Sequence, residues 1–135
     1  MFRVSRELEF CFGHRLKDYE GKCHNVHGHN GKVVVTLETD ALDQLGMGTD
    51  FVKIKRIVGA WIDQNLDHKM LLVEDDPLVP EFQKLGIPVF AMDENPTTEN
   101  MAKLIFAYAK SQGMPVAEVT MWETPYSHAT YRPAC

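Results

Sequence analysis

The sequence is poor in cysteine, which limits both its redox chemistry and its architecture. Its 135 residues include only 3 cysteines, Cys11, Cys23 and Cys135. An odd and sparse set does not form the disulfide framework on which small secreted domains rely. We therefore expect free thiols, and we interpret Cys11 and the terminal Cys135 as inert small side chains.

The sequence also lacks an excess of positive charge. Lys and Arg total 14 against 19 Asp and Glu, and the formal net charge is −5. Such a chain has no broad cationic field to attract nucleic acid or an anionic membrane surface. We therefore expect neither nucleic acid nor membrane as a partner.

Long apolar segments are missing as well. No run approaches the roughly 18 residues that a membrane span requires. The basic residues Arg3 and Arg6 near the N-terminus are not followed by the apolar core of a signal peptide. These absences predict a cytoplasmic protein.

The composition that remains is that of a globular chain, with 44% hydrophobic and 24% charged residues. Its length predicts one domain over residues 1–135. Histidine is more frequent than packing requires, since 4 of the 6 histidines, His14, His24, His27 and His29, fall in one short segment. We expect the chemistry of the protein to reside there.

The spacing of apolar residues predicts strands at both ends of the chain. Even-numbered positions from Phe2 to Phe12 are mostly apolar and alternate with polar ones, and His14 continues their parity. This period is typical of a half-buried strand. The β-branched residues after Lys32 predict a second strand, paired antiparallel with the first. Two further strands are predicted over residues 116–123 and 129–132.

Helical spacing dominates the middle of the chain. Apolar residues three and four apart predict one helix over residues 50–66 and another that Pro96 opens and Gly113 ends. Several prolines and a glycine between them predict that residues 72–95 form a connection with one short helix at 78–85. The predicted order is ββααββ, an α+β fold.

Three histidines have the spacing of a metal site. His27 and His29 are two residues apart, so in an extended segment both point to the same side and can bind one ion. His14 would come alongside if the two strands form a hairpin. Three imidazoles without an obvious fourth protein ligand are typical of a catalytic zinc site. Hydrogen-bonded histidines at strand ends, or iron, nickel or copper in place of zinc, stay open as alternatives.

Cys23 precedes His27 by four residues and has two interpretations. It closes a structural metal site as a fourth ligand, or it acts as a nucleophile or base, since nearby positive charge favours a thiolate. Asp67 and His68 are adjacent at a helix end, where the carboxylate can orient the imidazole or simply be solvated. Glu123 ends a predicted strand, where its carboxylate can simply be exposed to solvent.

Six short motifs, spread over nearly the whole chain, carry a resemblance to a known family. They are Phe12-Gly13-His14-Arg15-Leu16, Cys23-x-x-x-His27-Gly28-His29-Asn30, Asp50-Phe51, Leu66-Asp67-His68, Pro96-Thr97-Thr98-Glu99-Asn100 and Glu123-Thr124. Each motif is weak alone, but six in this order are specific. The sequence resembles the 6-pyruvoyl-tetrahydropterin synthase family, and within it the bacterial 6-carboxy-5,6,7,8-tetrahydropterin synthases of queuosine biosynthesis.

The resemblance implies an architecture, an assembly and a set of site residues. It implies a tunnelling fold, in which three ββααββ subunits, each with an antiparallel sheet and two helices on one face, build a barrel, and two trimers stack into a homohexamer. The implied residues are His14, His27 and His29 for Zn²⁺, Cys23 as catalytic thiol, Asp67 and His68 as charge-relay pair, Glu123 as pterin anchor, and Thr97, Thr98 and Glu99 in the pterin pocket.

The resemblance also implies a reaction on 7,8-dihydroneopterin triphosphate. The three residues between Cys23 and His27 resemble the branch that forms 6-carboxy-5,6,7,8-tetrahydropterin with release of acetaldehyde and triphosphate. One alternative is a 6-pyruvoyl-tetrahydropterin synthase, which eliminates triphosphate without cleaving the side chain. Another is a noncatalytic structural zinc module that Cys23 closes.

Overall fold

The computed structural model describes residues 1–134, so Cys135 lies outside the described residues. The strands are β1 (Phe2–His14), β2 (His27–Thr39), β3 (Lys69–Val73), β4 (Val89–Met92), β5 (Val116–Thr124) and β6 (Ser127–Tyr131). The helices are α1 (51–65, with a π-helical stretch at Lys55–Gly59), α2 (Leu78–Lys84) and α3 (Thr98–Ser111). A short 3-10 turn at Lys22–His24 lies between β1 and β2.

The first two strands form a long antiparallel hairpin, as the sequence predicts. Their register runs from Phe2 opposite Thr39 to His14 opposite His27. β2 begins at His27, five residues before the predicted start at Lys32. Glycine usually interrupts a strand, but Gly31 is needed inside this one. A Cβ there would lie 2.9 Å from the ring of Phe12 and 2.6 Å from Cε of Met121, both buried, so a larger residue would force this packing to shift.

The sheet is mixed, which corrects the expectation of a purely antiparallel ββααββ subunit. Its strand order is β4-β3-β1-β2-β5-β6, and β3 and β4 add to the edge of β1 in parallel. β3 overlaps the start of the segment 72–95 that the sequence assigns to a connection, and β4 lies inside that segment. They are only 5 and 4 residues long, too short to show a strand period. The short helix predicted in that segment is confirmed as α2.

One face of the sheet carries the hydrophobic core. The buried residues include Leu8, Phe10, Phe12, Val33, Val35 and Leu37 from the hairpin, Ile54, Val58 and Ile62 from α1, and Met101 and Ile105 from α3. The α+β class is therefore confirmed, with the two long helices on one face. His14, only 2% exposed, continues the apolar row of β1 at the end of the core. None of the helices within residues 1–134 has the length and apolarity to cross a membrane.

Both long helices begin at the residues that their sequence signals indicate. The Asp50 side chain accepts a hydrogen bond from the Val52 amide at 2.9 Å. The Thr97 hydroxyl accepts one from the Asn100 amide at 3.1 Å and caps α3. Gly113 follows α3 with a φ of +78°, a conformation that favours glycine. The cap at Thr97 fixes the start of α3 beside the end of β1.

A buried ion pair ties the end of β1 to the turn before α2. The Arg15 guanidinium donates to both carboxylate oxygens of Asp76 at 2.8 and 2.6 Å. The Asp76 side chain is fully buried, whereas that of Arg15 is 14% exposed. The hydrogen bond from Arg15 holds the pKa of Asp76 below its ordinary value, against the opposing effect of burial. The pair anchors the inserted segment to the sheet.

We expect Asp76→Ala to lower the free energy of unfolding at pH 7 by about 3 kcal/mol, because it leaves the Arg15 charge without a partner. The pKa of Asp76 is lower in the folded than in the unfolded chain, so the pair stabilises fully above the unfolded pKa. This stability is lost as pH falls through the folded pKa. The difference in the free energy of unfolding between Asp76→Ala and the unaltered chain therefore becomes smaller below about pH 4.

Urea unfolding of both proteins between pH 3 and 7 measures this difference. Asp75→Ala is the matched control, because Asp75 pairs with Lys17 on the exposed surface and its loss should cost under about 1 kcal/mol. Equal stability of Asp76→Ala and the unaltered chain at pH 7 would contradict the prediction.

Candidate functional site

Three histidines converge at the end of the β1–β2 hairpin. His14 lies directly opposite His27, and His29 lies opposite Phe12, so all three side chains share the core face. The Nε2 atoms of His14 and His27 are 3.1 Å apart, and the three ring centroids lie 4.6 to 5.1 Å from one another. Together with a carboxylate oxygen of Glu123, one ligand atom of each lies within 4.8 Å of the others.

Backbone carbonyls orient two of these rings. Nδ1 of His14 lies 2.8 Å from the Pro96 carbonyl oxygen, and Nδ1 of His27 lies 2.7 Å from that of Asn25. A carbonyl only accepts, so each Nδ1 carries the proton and each Nε2 presents a lone pair. Two lone pairs that face each other at 3.1 Å repel unless a cation or proton lies between them. Such outer contacts are typical of metal-binding histidines.

His29 Nε2 is a further ring nitrogen of this group that lacks a binding partner. It is buried and has no hydrogen bond, although a carboxylate oxygen of Glu123 lies 3.1 Å away. The two atoms are near but not aligned for a hydrogen bond. A buried polar atom without a partner is rare and is often a metal ligand or a water site. The three imidazole nitrogens therefore fit a divalent cation such as zinc, with the Glu123 carboxylate beside them.

Burial favours the neutral form of two of these imidazoles, His14 and His29, and the neutral form is the one that binds a metal. Burial lowers the pKa of His14, and the nearby His27 and His29 lower it further, against the opposing effects of the Pro96 carbonyl and Glu123. Burial also lowers the pKa of His29, with Glu123 opposing it. Neutral rings at physiological pH leave their lone pairs free to bind a cation.

Glu123 enters this group through an irregularity in its strand. The pairing of β5 with β6 shifts register between Trp122 and Thr124, and such bulges redirect a side chain. The sequence predicts Glu123 at the end of a strand, and the family resemblance implies that it anchors the pterin, but neither places it beside His29. Its odd parity, shared with the buried Val119 and Met121, is the signal that places its side chain on the core face.

Asp67 and His68 form a hydrogen-bonded pair where α1 gives way to β3. His68 Nδ1 lies 2.9 Å from one Asp67 carboxylate oxygen, and the other oxygen accepts from the Cys11 amide at 3.0 Å. Burial alone raises the pKa of Asp67, but the hydrogen bonds from Cys11 and His68 outweigh it and hold that pKa below its ordinary value. The carboxylate is anionic and orients an imidazole whose side chain is 78% exposed.

Cys11, which the sequence predicts to be an inert small side chain, is a neighbour of this pair. Its sulfur belongs, with Asp67 and His68, to a second group of ligand atoms that lie within 4.8 Å of one another. The thiol also lies 2.9 Å from the side-chain oxygen of Asn30. The odd parity of Cys11 assigns it to the face opposite His14. No local signal in the sequence relates it to Asp67, which lies 56 residues away.

Cys23 lies in the short 3-10 turn between β1 and β2 and is partly exposed. Its carbonyl accepts from the Leu16 amide at 2.7 Å. Its sulfur belongs to neither of the two groups of convergent donors found among residues 1–134. The closed structural site, with Cys23 beside the three histidines, is therefore not formed here.

The residues expected in the pterin pocket lie at the start of α3. Thr97 caps the helix, and the Thr98 hydroxyl donates to the Glu99 carboxylate at 2.9 Å. Pro96, directly before them, supplies the carbonyl that orients His14. This carbonyl contact places the start of α3 next to the histidine group.

Related sequences match nearly the whole chain. A family model described as 6-pyruvoyl tetrahydropterin synthase matches residues 3–134. A 6-carboxy-5,6,7,8-tetrahydropterin synthase from Rickettsia conorii is 33% identical over 132 residues, which cover 93% of this chain and 96% of the relative. A protein of the same name from Haemophilus influenzae is 30% identical over 140 aligned residues. The alignment covers 98% of this chain and 99% of the relative.

Solved structures give the same result for the fold. An uncharacterised protein from Wolinella succinogenes has a TM-score of 0.80 at 27% identity, over 98% of each chain. The Caenorhabditis elegans 6-pyruvoyl tetrahydropterin synthase has a TM-score of 0.73 at 27% identity, over 98% of this chain and 96% of its own. The tunnelling fold and the family resemblance are confirmed. The chain belongs to the 6-pyruvoyl tetrahydropterin synthase family and is an enzyme.

Proposed function

We propose that the protein converts 7,8-dihydroneopterin triphosphate to 6-carboxy-5,6,7,8-tetrahydropterin, with release of acetaldehyde and triphosphate, in queuosine biosynthesis. The names of the Rickettsia and Haemophilus relatives support this branch of the family. The observation that carries the proposal is the convergence of His14, His27 and His29, with Glu123 beside them. This arrangement suits a metal-dependent reaction on a small polar substrate.

In this proposal His14, His27 and His29 hold Zn²⁺. The Nε2 atoms of His14 and His27 are 3.1 Å apart, which is close enough for both to bind one ion. The bound ion would supply Lewis acidity that polarises the side-chain oxygens of the substrate. Glu123 has two carboxylate oxygens that can accept parallel N–H bonds from the edge of the pterin ring. Its place beside His29 would bring that ring next to the metal site.

Proton transfer falls to His68 and Cys23. His68 Nδ1 is held by Asp67, so Nε2 is the atom that takes up or returns a proton. Its exposed ring would act on a substrate held at the histidine site of a neighbouring subunit, in the oligomer proposed below. The anionic Asp67 favours the protonated imidazole after transfer. Cys23 Sγ serves as the second proton carrier. Thr97, Thr98 and Glu99, at the helix start that Pro96 places beside His14, would line the pterin pocket.

The homohexamer of two stacked trimers is also a proposal. Within residues 1–134 the sheet is open, with β4 at one edge and β6 at the other. Open edges present unpaired backbone groups, which a neighbouring subunit can satisfy. A stable monomer in size-exclusion chromatography would contradict this assembly.

Product identification by mass spectrometry tests the reaction. We expect the zinc-loaded protein, incubated with 7,8-dihydroneopterin triphosphate, to yield 6-carboxy-5,6,7,8-tetrahydropterin, triphosphate and acetaldehyde, and protein treated with a chelator to yield none of them. 6-Pyruvoyl-tetrahydropterin as the product, without acetaldehyde, would support the second candidate, a 6-pyruvoyl-tetrahydropterin synthase, which the likeness to the Caenorhabditis structure favours. Unchanged substrate would contradict both.

A further inference from the structure

A second group of metal-binding side chains lies on the opposite face of the β1–β2 hairpin from the three histidines. Cys11, Asp67 and His68 each offer one ligand atom within 4.8 Å of the others. Successive residues of a strand point to opposite faces, so Cys11 points away from the face that Phe12 presents to the core. The donors of this group are therefore distinct from those of the histidine site.

The group is held in place by backbone contacts. Cys11 donates its amide to Asp67 at 3.0 Å, and its carbonyl accepts the His68 amide at 2.6 Å. His68 has a φ of +59°, uncommon for a residue other than glycine. The positions of the three side chains are thus set by β1 and by the end of α1. Cys11 and His68 also line one open cleft of about 580 Å³, so a hydrated ion can reach them.

We propose that Cys11, Asp67 and His68 form a second site for a borderline-soft divalent cation, such as Zn²⁺ or Co²⁺. Sulfur, nitrogen and carboxylate oxygen are the donors that zinc takes in proteins. Binding forms bonds to Cys11 Sγ, an Asp67 carboxylate oxygen and a ring nitrogen of His68. The thiol releases its proton to solvent, and the imidazole keeps its proton on the other nitrogen. The thiolate and carboxylate then balance the 2+ charge.

The site is weaker than the histidine site, for two structural reasons. His68 is 78% exposed, so its ring must be ordered on binding. Lys69, the next residue, places a positive charge near Asp67. The first equivalent of metal therefore fills the histidine site, and the second fills this one.

Occupation of the second site has a consequence for turnover, and this step alone rests on the proposed function. A cation on Asp67 and His68 takes the lone pair and carboxylate that the reaction would use for proton transfer. Zinc beyond one equivalent per chain therefore inhibits. Loss of the Cys11 sulfur removes one of three donors and relieves the inhibition.

Cobalt titration of the metal-free protein tests the site without reference to activity. Thiolate bound to Co²⁺ gives a charge-transfer absorption in the near ultraviolet, whereas imidazole does not. We expect this band to grow with the second equivalent of Co²⁺, to be absent from Cys11→Ser, and to persist in the matched variant Cys23→Ser. No band at two equivalents, or a band lost in Cys23→Ser and kept in Cys11→Ser, would overturn the proposal.

The kinetic arm adds Zn²⁺ beyond one equivalent to each protein. We expect excess Zn²⁺ to lower the turnover of the unaltered chain and to leave that of Cys11→Ser unchanged. Absence of turnover in every sample would count against the proposed function, while the cobalt spectra still decide whether the site exists. Equal inhibition of both proteins would overturn the inhibitory role of the site.

Discussion

Replacing His27 with alanine is expected to abolish stoichiometric zinc binding and to lower kcat/KM by at least about 10³-fold. His27 supplies a ligand atom between His14 and His29, and two imidazoles alone hold zinc poorly. A bound metal stabilises the charge of the transition state by several kcal/mol, and each loss of about 1.4 kcal/mol slows the reaction about tenfold. Metal content and activity should therefore fall together.

The measurement is zinc per chain by mass spectrometry of the metal, together with turnover of the pterin triphosphate. His24→Ala is the matched control, because His24 lies in the same histidine-rich segment but is exposed and outside both donor groups. It should keep one zinc per chain. A His27→Ala protein that retains full zinc content would refute the ligand role of His27.

The hairpin and its histidines follow from local patterns. The even parity of β1 extends from the apolar residues to His14, and the two-residue spacing of His27 and His29 puts both on one face. An antiparallel pairing then brings the strands' ends together, and the structure places His14 directly opposite His27. Capping at Asp50 and Thr97 is equally local, since each side chain bonds an amide two or three residues ahead.

Other parts of the fold and site depend on contacts between distant residues. β3 and β4 are short. β3 becomes a strand because the edge of β1 offers it backbone partners, and β3 in turn offers them to β4. The Pro96 carbonyl reaches His14 across 82 residues of sequence, and backbone atoms leave no trace in a residue pattern. The contact between Cys11 and Asp67 is also invisible in the sequence, because Cys11 makes it with its backbone amide and not with its side chain.

Glu123 shows how a local pattern and a distant contact combine. Its parity assigns it to the core face of β5, but an ordinary carboxylate would avoid that burial. It is tolerated because the bulge beside Trp122 brings it to the histidine group, where a bound cation would balance its charge. The sequence predicts the residue as functional, whereas its neighbours become evident only from the packing of three strands.

Replacing Cys23 with alanine should lower turnover by about 10²–10⁴-fold, the range typical of a lost proton carrier, without loss of zinc or of the oligomer. The structure gives the reason for this separation: the Cys23 sulfur belongs to neither convergent donor group, and its turn contacts the rest of the chain through backbone hydrogen bonds that alanine preserves.

Zinc content, circular dichroism and size-exclusion chromatography, measured with turnover, distinguish the two roles open to this thiol. Glu20→Ala is the matched control, because it removes an exposed side chain from the same loop between β1 and β2 and should leave turnover unchanged. Loss of zinc together with unfolding in Cys23→Ala would favour a structural site closed by the thiol. Retained zinc with lost turnover would instead identify Cys23 as a reacting group, because a residue that neither binds metal nor holds the fold can affect the rate only through the reaction itself.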